Sequence, residues 1–151
     1  MDGTFTVVGE PFSASGQLMS IHAFVKKDGM RKQFSLAFAI MSRKRKEDYV
    51  QILQALKDTL QHYVVEVVVL DFEKGAWQAI RVVFPDVEVK GCVFHWSQAI
   101  WRKVQDLGLV TTYKKRQAMY TYIQQLMALP FLPAVHIVET FDELKGRAQH
   151  N

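Results

Sequence analysis

The stretch Val64-Val65-Glu66-Val67-Val68-Val69-Leu70, followed by Asp71-Phe72-Glu73, decides the fold. Its apolar part is short, nearly unbroken and rich in β-branched residues, the pattern of a strand buried on both faces of a helix-covered sheet. Helical spacing begins at once: Ala76, Trp77, Ile80, Val83 and Phe84 fall on one face, and Pro85 ends the run. In open α/β sheets, ligands gather beyond the carboxyl ends of the strands. Asp71 stands at such an end. It is either a site carboxylate or a cap for the helix that follows, and this stretch alone leaves both readings open.

Toward the amino terminus the chain reads as strands. Thr4 to Val8 is a short one, and Gly9 to Gly16, with Pro11 and two serines, is a loop. Leu18 to Val25 places Met19, Ile21, Ala23 and Val25 on one face. Lys26-Lys27-Asp28-Gly29 is a hairpin turn, since Asp-Gly supplies the positive φ such turns need. Gln33 to Met41 returns with Phe34, Leu36, Phe38 and Ile40 sharing a face. The basic run Arg43-Lys44-Arg45-Lys46 leads into a helix from Glu47 to Leu60 with Tyr49, Ile52, Leu53, Leu56 and Leu60 as its core stripe. Four cations before a helix start oppose its macrodipole, so they are solvated or meet a phosphate.

Toward the carboxyl terminus, Val87 to Phe94 is a fifth strand. Trp96 to Leu107 is helical, with Gly108 as its stop. Thr111 or Thr112 can cap a helix running to Ala128, and Pro133 is placed to open a last helix carrying Val138, Phe141 and Leu144. The order β-β-β-α-β-α-β followed by helices predicts an α/β fold: a mixed five-stranded sheet with helices on its faces and a C-terminal helical appendage. The core spans residues 1–95 and the helical segment residues 96–151.

With 151 residues, 49% of them apolar, the chain is long enough for one well-packed domain. Its net charge of +4 is compatible with nucleic acid without being diagnostic. A single cysteine excludes an intrachain disulfide. The first residues lack a secretory pattern, and no apolar run approaches a membrane span. No Gly-rich loop follows any strand, which argues against a nucleotide-binding domain.

Asp2 and Asp71 are the candidate chemical pair. If the first and fourth strands are neighbours, both carboxylates face one cleft and repel. A divalent ion relieves that repulsion, and Mg²⁺ binds readily through one or two carboxylates plus phosphate. Two such ions about 3.5–4 Å apart activate an attacking water or hydroxyl and stabilise the leaving oxygen of a phosphodiester. The plain alternative for Asp2 is a turn residue in an Asp-Gly dipeptide. Cys92 and His95 form Cys-x-x-His, half of a zinc site; His22, His62, His136 and His150 have no spacing to complete it, so zinc is disfavoured. Cys92 is instead expected in the core, and His95 at a strand-to-helix junction near the acids. Of the tryptophans, Trp77 lies on a core stripe, and Trp101, beside Arg102 and Lys103, is expected to be the more exposed. Arg43 to Lys46, Arg102-Lys103 and Lys114-Lys115-Arg116 are candidate phosphate contacts or solvated faces.

The segments Met1-Asp2-Gly3-Thr4-Phe5, the Tyr49-Val50 helix, Leu70-Asp71-Phe72-Glu73-Lys74, Ala79-Ile80 with Phe84-Pro85, and Gly91-Cys92-Val93-Phe94-His95 follow the order and spacing of the Mutator-like element (MULE) transposase domain. The chain resembles that family along essentially its whole length. The resemblance implies a DDE transposase with a ribonuclease H-like fold, metal-dependent cleavage of DNA at transposon ends and strand transfer into target DNA. It matches Asp2 to the first catalytic acid, Asp71 to the second, and Cys92 with His95 to the family's C-x-x-H motif. Mg²⁺ or Mn²⁺ is the implied cofactor and DNA the implied partner; a homo-oligomer is left open, no membrane is involved, and the nucleus is the implied location. Two departures set expectations. The family carries an apolar strand before the first acid, so the first strand is expected to be clipped. Its third acid, a Glu, follows a helical insertion beyond residue 151; Glu139, Asp142 and Glu143 match no catalytic motif. The chain is therefore expected to be a catalytic-core fragment, inactive alone, with residues 96–151 opening the insertion. The alternative is a non-catalytic, transposase-derived module that binds DNA or protein.

Overall fold

The computed structural model describes residues 2–4 (backbone only), 16–60, 64–115 and 118–149. The chain divides into two compact units, residues 1–90 and 91–151. In the first unit, β1 (Asp2–Thr4) pairs antiparallel with β2 (Gln17–Lys27), which pairs antiparallel with β3 (Met30–Met41). Helix α1 (Lys46–Thr59) follows, then β4 (Val67–Leu70), α2 (Lys74–Val83) and β5 (Glu88–Gly91). The continuation of the first strand to Val8 and the loop from Gly9 lie outside the described residues.

The β2–β3 hairpin turns at Asp28 and Gly29, both at positive φ (52° and 77°), with Lys27 opposite Met30. Asn, Asp and Gly tolerate that region at least cost, so the Asp-Gly signal fixes the register of the whole ribbon. One face of the ribbon is inward: Gln17, Met19 and Ile21 lie opposite Met41, Ala39 and Ala37. A bulge between Ile21 and His22 ends that regularity. Phe38 and Ile40 lie on the outward face of β3, and Phe38 is 64% exposed; the bulge skips Leu36 and sets Phe34 opposite Ala23, on the side of Ile21, so the four residues expected to share a face do not.

The core gathers Met19, Ile21 and Met41 from the ribbon, Tyr49 and Leu53 from α1, Leu70 from β4, and Ala76, Ala79, Ile80 and Val83 from α2. Each large aliphatic side chain buried there contributes about 1.5–3 kcal/mol. The stripe expected on α2 is thus the buried one, and the helix ends at Val83, before Pro85. Lys57 of α1 donates to the Val83 carbonyl at 3.0 Å, and its Nζ sits 5.4 Å from the Phe84 ring centroid. A cation there satisfies an orphan carbonyl and the negative end of the α2 dipole.

The five-stranded mixed sheet, ribonuclease H-like in outline, is not formed among the described residues. The described strands make two separate sheets, a three-stranded one in the order β1-β2-β3 and a two-stranded one, β4-β5. β1 ladders with Leu18–Ser20 of β2 and has no pairing with β4 among the described residues, and without that pairing nothing joins the ribbon to β4-β5. The decisive stretch is correspondingly half right. Val67–Leu70 is a strand, but only Val68 and Leu70 turn inward, while Val67 and Val69 are exposed.

The second unit is helical: α3 (Val93–Asp106), α4 (Val110–Lys114), α5 (Ala118–Ala128), a 3-10 turn (Leu129–Phe131) and α6 (Ala134–Gln149). Val104, Ile123, Leu129 and Leu144 are its buried residues. Gly108, at φ 68°, closes α3: its N–H bonds to Gln105 O at 2.9 Å and the Leu109 N–H to Val104 O at 2.9 Å. This is the paired closure a left-handed residue permits. Where a single helix is expected from Thr111 to Ala128 the described residues form α4 and α5; α4 starts immediately after that closure with Leu109 as its cap, and Thr111 and Thr112 lie inside it. Among the described residues, no helix is long and apolar enough to cross a membrane.

Candidate functional site

The corner between β4 and α2 is built around Asp71. Leu70, 1% exposed, anchors the strand end in the core, and Asp71 is half-buried just beyond it. Asp71 Oδ1 accepts a hydrogen bond from the Glu73 N–H at 3.2 Å. That local bond bends the chain from strand into helix, an Asx turn. The cap position belongs to Glu73, whose side chain does not cap. The Trp77 indole N–H donates to the Asp71 carbonyl at 2.6 Å, and the Phe72 ring stacks on Trp77 with centroids 6.4 Å apart. Trp77, expected to be buried, is half-buried because its ring reaches back to this corner. Asp71 is therefore fixed through both its carboxylate and its backbone.

Glu73 is committed elsewhere. Its Oε2 accepts from the Tyr49 hydroxyl, and its Oε1 pairs with Lys44 Nζ at 3.1 Å. Gln17 Nε2 donates to the Tyr49 oxygen at 2.6 Å and lies 3.3 Å from Met41 Sδ. The chain Gln17–Tyr49–Glu73–Lys44 thus ties β2, α1 and the start of α2 together. Tyr49 is 2% exposed, and its phenol pKa is raised far above the ordinary 10.0. Burial is the largest cause, followed by the hydrogen bond to Glu73 and its charge, with the Asp71 charge adding and the Gln17 bond opposing. Gly75 makes the close approach of α2 to the α1 start feasible: a Cβ there would lie 2.9 Å from the Lys44 carbonyl oxygen and 3.3 Å from Tyr49 Cδ2.

Tyr49 and Glu73 both fall within the segments that carry the family resemblance, but motif reasoning gives neither a role. The available signal was chemical: a tyrosine within a stripe of leucines must find a partner for its hydroxyl when buried.

The other candidate residues are dispersed. Asp2 lies on β1 opposite Ser20, and its side chain is outside the described residues. The adjacency of β1 and β4, on which a pairing of Asp2 with Asp71 relied, is absent among the described strands. Cys92 is the N-cap residue of α3 and is half-buried, where a core position was expected, because β5 already ends at Gly91. His95 sits in the first turn of α3, edge-on to Phe94. Both belong to the second unit, and Asp71 to the first. Among the described residues, no group of three or more His, Cys, Asp and Glu side chains could hold a metal ion.

Of the basic candidates, Lys44 is engaged with Glu73. Arg45 precedes α1, and its backbone N–H donates to Asp48 Oδ2 at 3.0 Å, so the helix starts on an acidic residue of its first turn instead of a capping hydroxyl. Arg43 and Lys103 are exposed; Arg102 is exposed and reaches Gln98 at 3.0 Å. Trp101 is half-buried, its ring 5.1 Å from Tyr113, and Trp96 donates to the Leu126 carbonyl at 2.9 Å.

The family model of the MULE transposase domain matches residues 1–99, about two thirds of the chain. The chain belongs to the MULE transposase domain family. Its match spans β1 through the first half of α3, and so contains the entire Asp71 corner. No curated protein and no solved structure matches the chain. Membership in this family carries a transposase-related function and DNA as the general class of partner.

Proposed function

We propose that this MULE domain contributes Asp71 as a metal-binding carboxylate to DNA cleavage and strand transfer. The observation that carries the reading is the placement of Asp71: at the carboxyl end of β4, half-buried, with Oδ1 set by the Glu73 amide and the carbonyl held by Trp77. An all-oxygen donor held this way suits Mg²⁺ or Mn²⁺, which bind through one or two carboxylates with phosphate and water completing the shell. The ion would supply activation of the attacking oxygen and stabilisation of the leaving one. Asp71 binds; Glu73, already bonded to Tyr49 and Lys44, is a positioning residue that keeps the corner in shape. Asp2 enters through the family resemblance as the first catalytic acid, with Asp71 the second, and a nuclear location follows from the same source. Among the described residues no three such side chains are gathered, so weak ion binding and poor nicking are the expected behaviour. A plasmid-nicking assay with Mg²⁺ or Mn²⁺ tests this. Little nicking is expected from the chain alone; robust nicking that Asp71→Ala abolishes would keep the site and overturn the weakness, and robust nicking that survives Asp71→Ala would remove Asp71 from the account.

A second reading, a non-catalytic module that binds DNA, is favoured by the exposed Arg43, Arg102 and Lys103. DNA binding without metal that weakens steeply with salt would support it.

A further inference from the structure

We propose that Tyr49 is a positioning residue for the Asp71 carboxylate, acting on it through Glu73. The inference rests on the reading of Asp71 as a metal-binding carboxylate and extends it to a side chain that never touches the ion. A short route of contacts joins the two residues. The Tyr49 hydroxyl donates to Glu73 Oε2, and Lys44 Nζ holds Oε1 of the same carboxylate at 3.1 Å. The Glu73 backbone N–H in turn donates to Asp71 Oδ1 at 3.2 Å. Glu73 is thus gripped by its side chain and grips Asp71 with its backbone. A carboxylate whose oxygen is already fixed by a hydrogen bond loses less freedom when it meets an ion.

The tyrosine itself is firmly seated. It is 2% exposed, and Gln17 Nε2, on the inward face of β2 with Met19 and Ile21, donates to its oxygen at 2.6 Å. A buried amide is out of place in an apolar core unless it holds a partner, and here the partner is the phenol. Gly75 lets the first turn of α2 close on the ring: a Cβ there would meet Tyr49 Cδ2 at 3.3 Å. Burial raises the phenol above its ordinary 10.0, so it stays a donor to Glu73 throughout the neutral range. The bonds to Tyr49 and Lys44 also commit both Glu73 oxygens, which keeps that carboxylate out of the shell of an ion at Asp71. Removing the phenol hydroxyl leaves the Lys44 pair in place, so the result is a looser Asp71 and not a new ligand.

The test uses the whole chain and Mn²⁺ alone. Affinity is read from water-proton relaxation, and the Asp71 turn is read, before metal is added, from hydrogen exchange of the Glu73 amide. Tyr49→Phe is expected to weaken Mn²⁺ about tenfold. It is also expected to speed Glu73 amide exchange about fivefold. Glu73→Ala, at a partly exposed side chain, should weaken Mn²⁺ to the same degree, and the double variant no further than either, because both changes cut one link. Ile80→Val, a core change that touches no part of the route, should alter neither readout. If Asp71→Asn abolishes binding while Tyr49→Phe leaves it unchanged or tighter, the proposal fails and the metal reading of Asp71 stands. Equal weakening by Ile80→Val, or additive losses in the double variant, would overturn the route through Glu73. Binding that survives Asp71→Asn would remove the metal reading itself, and this inference with it.

Discussion

The two ends of one short strand differ sharply. At its carboxyl end β4 enters a corner where each polar group is spoken for: Asp71 by Glu73 and Trp77, and Glu73 by Tyr49 and Lys44. At its amino end the approach to the strand is apolar and open, with Val64 88% exposed. The same β-branched run supplies both. What separates them is neighbours: α1 and α2 pack over Leu70, and no described strand lies beside Val64. The chain thus keeps a tightly bonded corner even where its described strands form two separate sheets.

The contrast can be broken most directly by truncating each end of the strand. Leu70→Ala is expected to cost about 2–5 kcal/mol in denaturant unfolding, because it opens a cavity in the core. Val67→Ala, 43% exposed, should stay within about 0.5 kcal/mol. Equal costs would erase the difference between the ends. Tyr49→Phe strips the hydroxyl that links Gln17 to Glu73 and should cost about 1–3 kcal/mol. Gly75→Ala forces the α2 start away from the Lys44 carbonyl; helix propensity offsets part of the strain, leaving about 1 kcal/mol of destabilisation.

The pH dependence follows from the raised phenol of Tyr49. In the folded chain the phenol stays protonated at a pH where the unfolded phenol ionises, so the unfolded state binds fewer protons there. Its contribution to stability is complete below about pH 10 and falls as pH rises above that value. Thermal melts across that range should show the decline, and Tyr49→Phe should flatten it. The smallest effect is expected far from both ends: Arg102→Ala, on an exposed helix face, should leave unfolding within about 0.5 kcal/mol while reducing the salt slope of any DNA binding by about one unit.

Local structure was legible where chemistry is local. The Asp28-Gly29 turn, the α2 stripe ending before Pro85 and the Gly108 stop each depend on a few adjacent residues. Strand pairing was not, because a run of valines does not say which edges it meets. The order of elements predicts a five-stranded sheet, and among the described residues the β1–β4 pairing that would join its halves is not made. Asp71 was found by its place after a strand, and of its two readings the helix cap gives way to an Asx turn that precedes the cap. The bond between Tyr49 and Glu73 was hidden because it spans 24 residues and no motif spacing encodes it.

The most direct test of the Asp71 corner is Mn²⁺ titration of the isotopically labelled chain, read by paramagnetic broadening of backbone amides. The account predicts broadening centred on Leu70 to Glu73, lost in Asp71→Asn while the fold persists by circular dichroism. Broadening that survives Asp71→Asn, or that centres elsewhere, would contradict it.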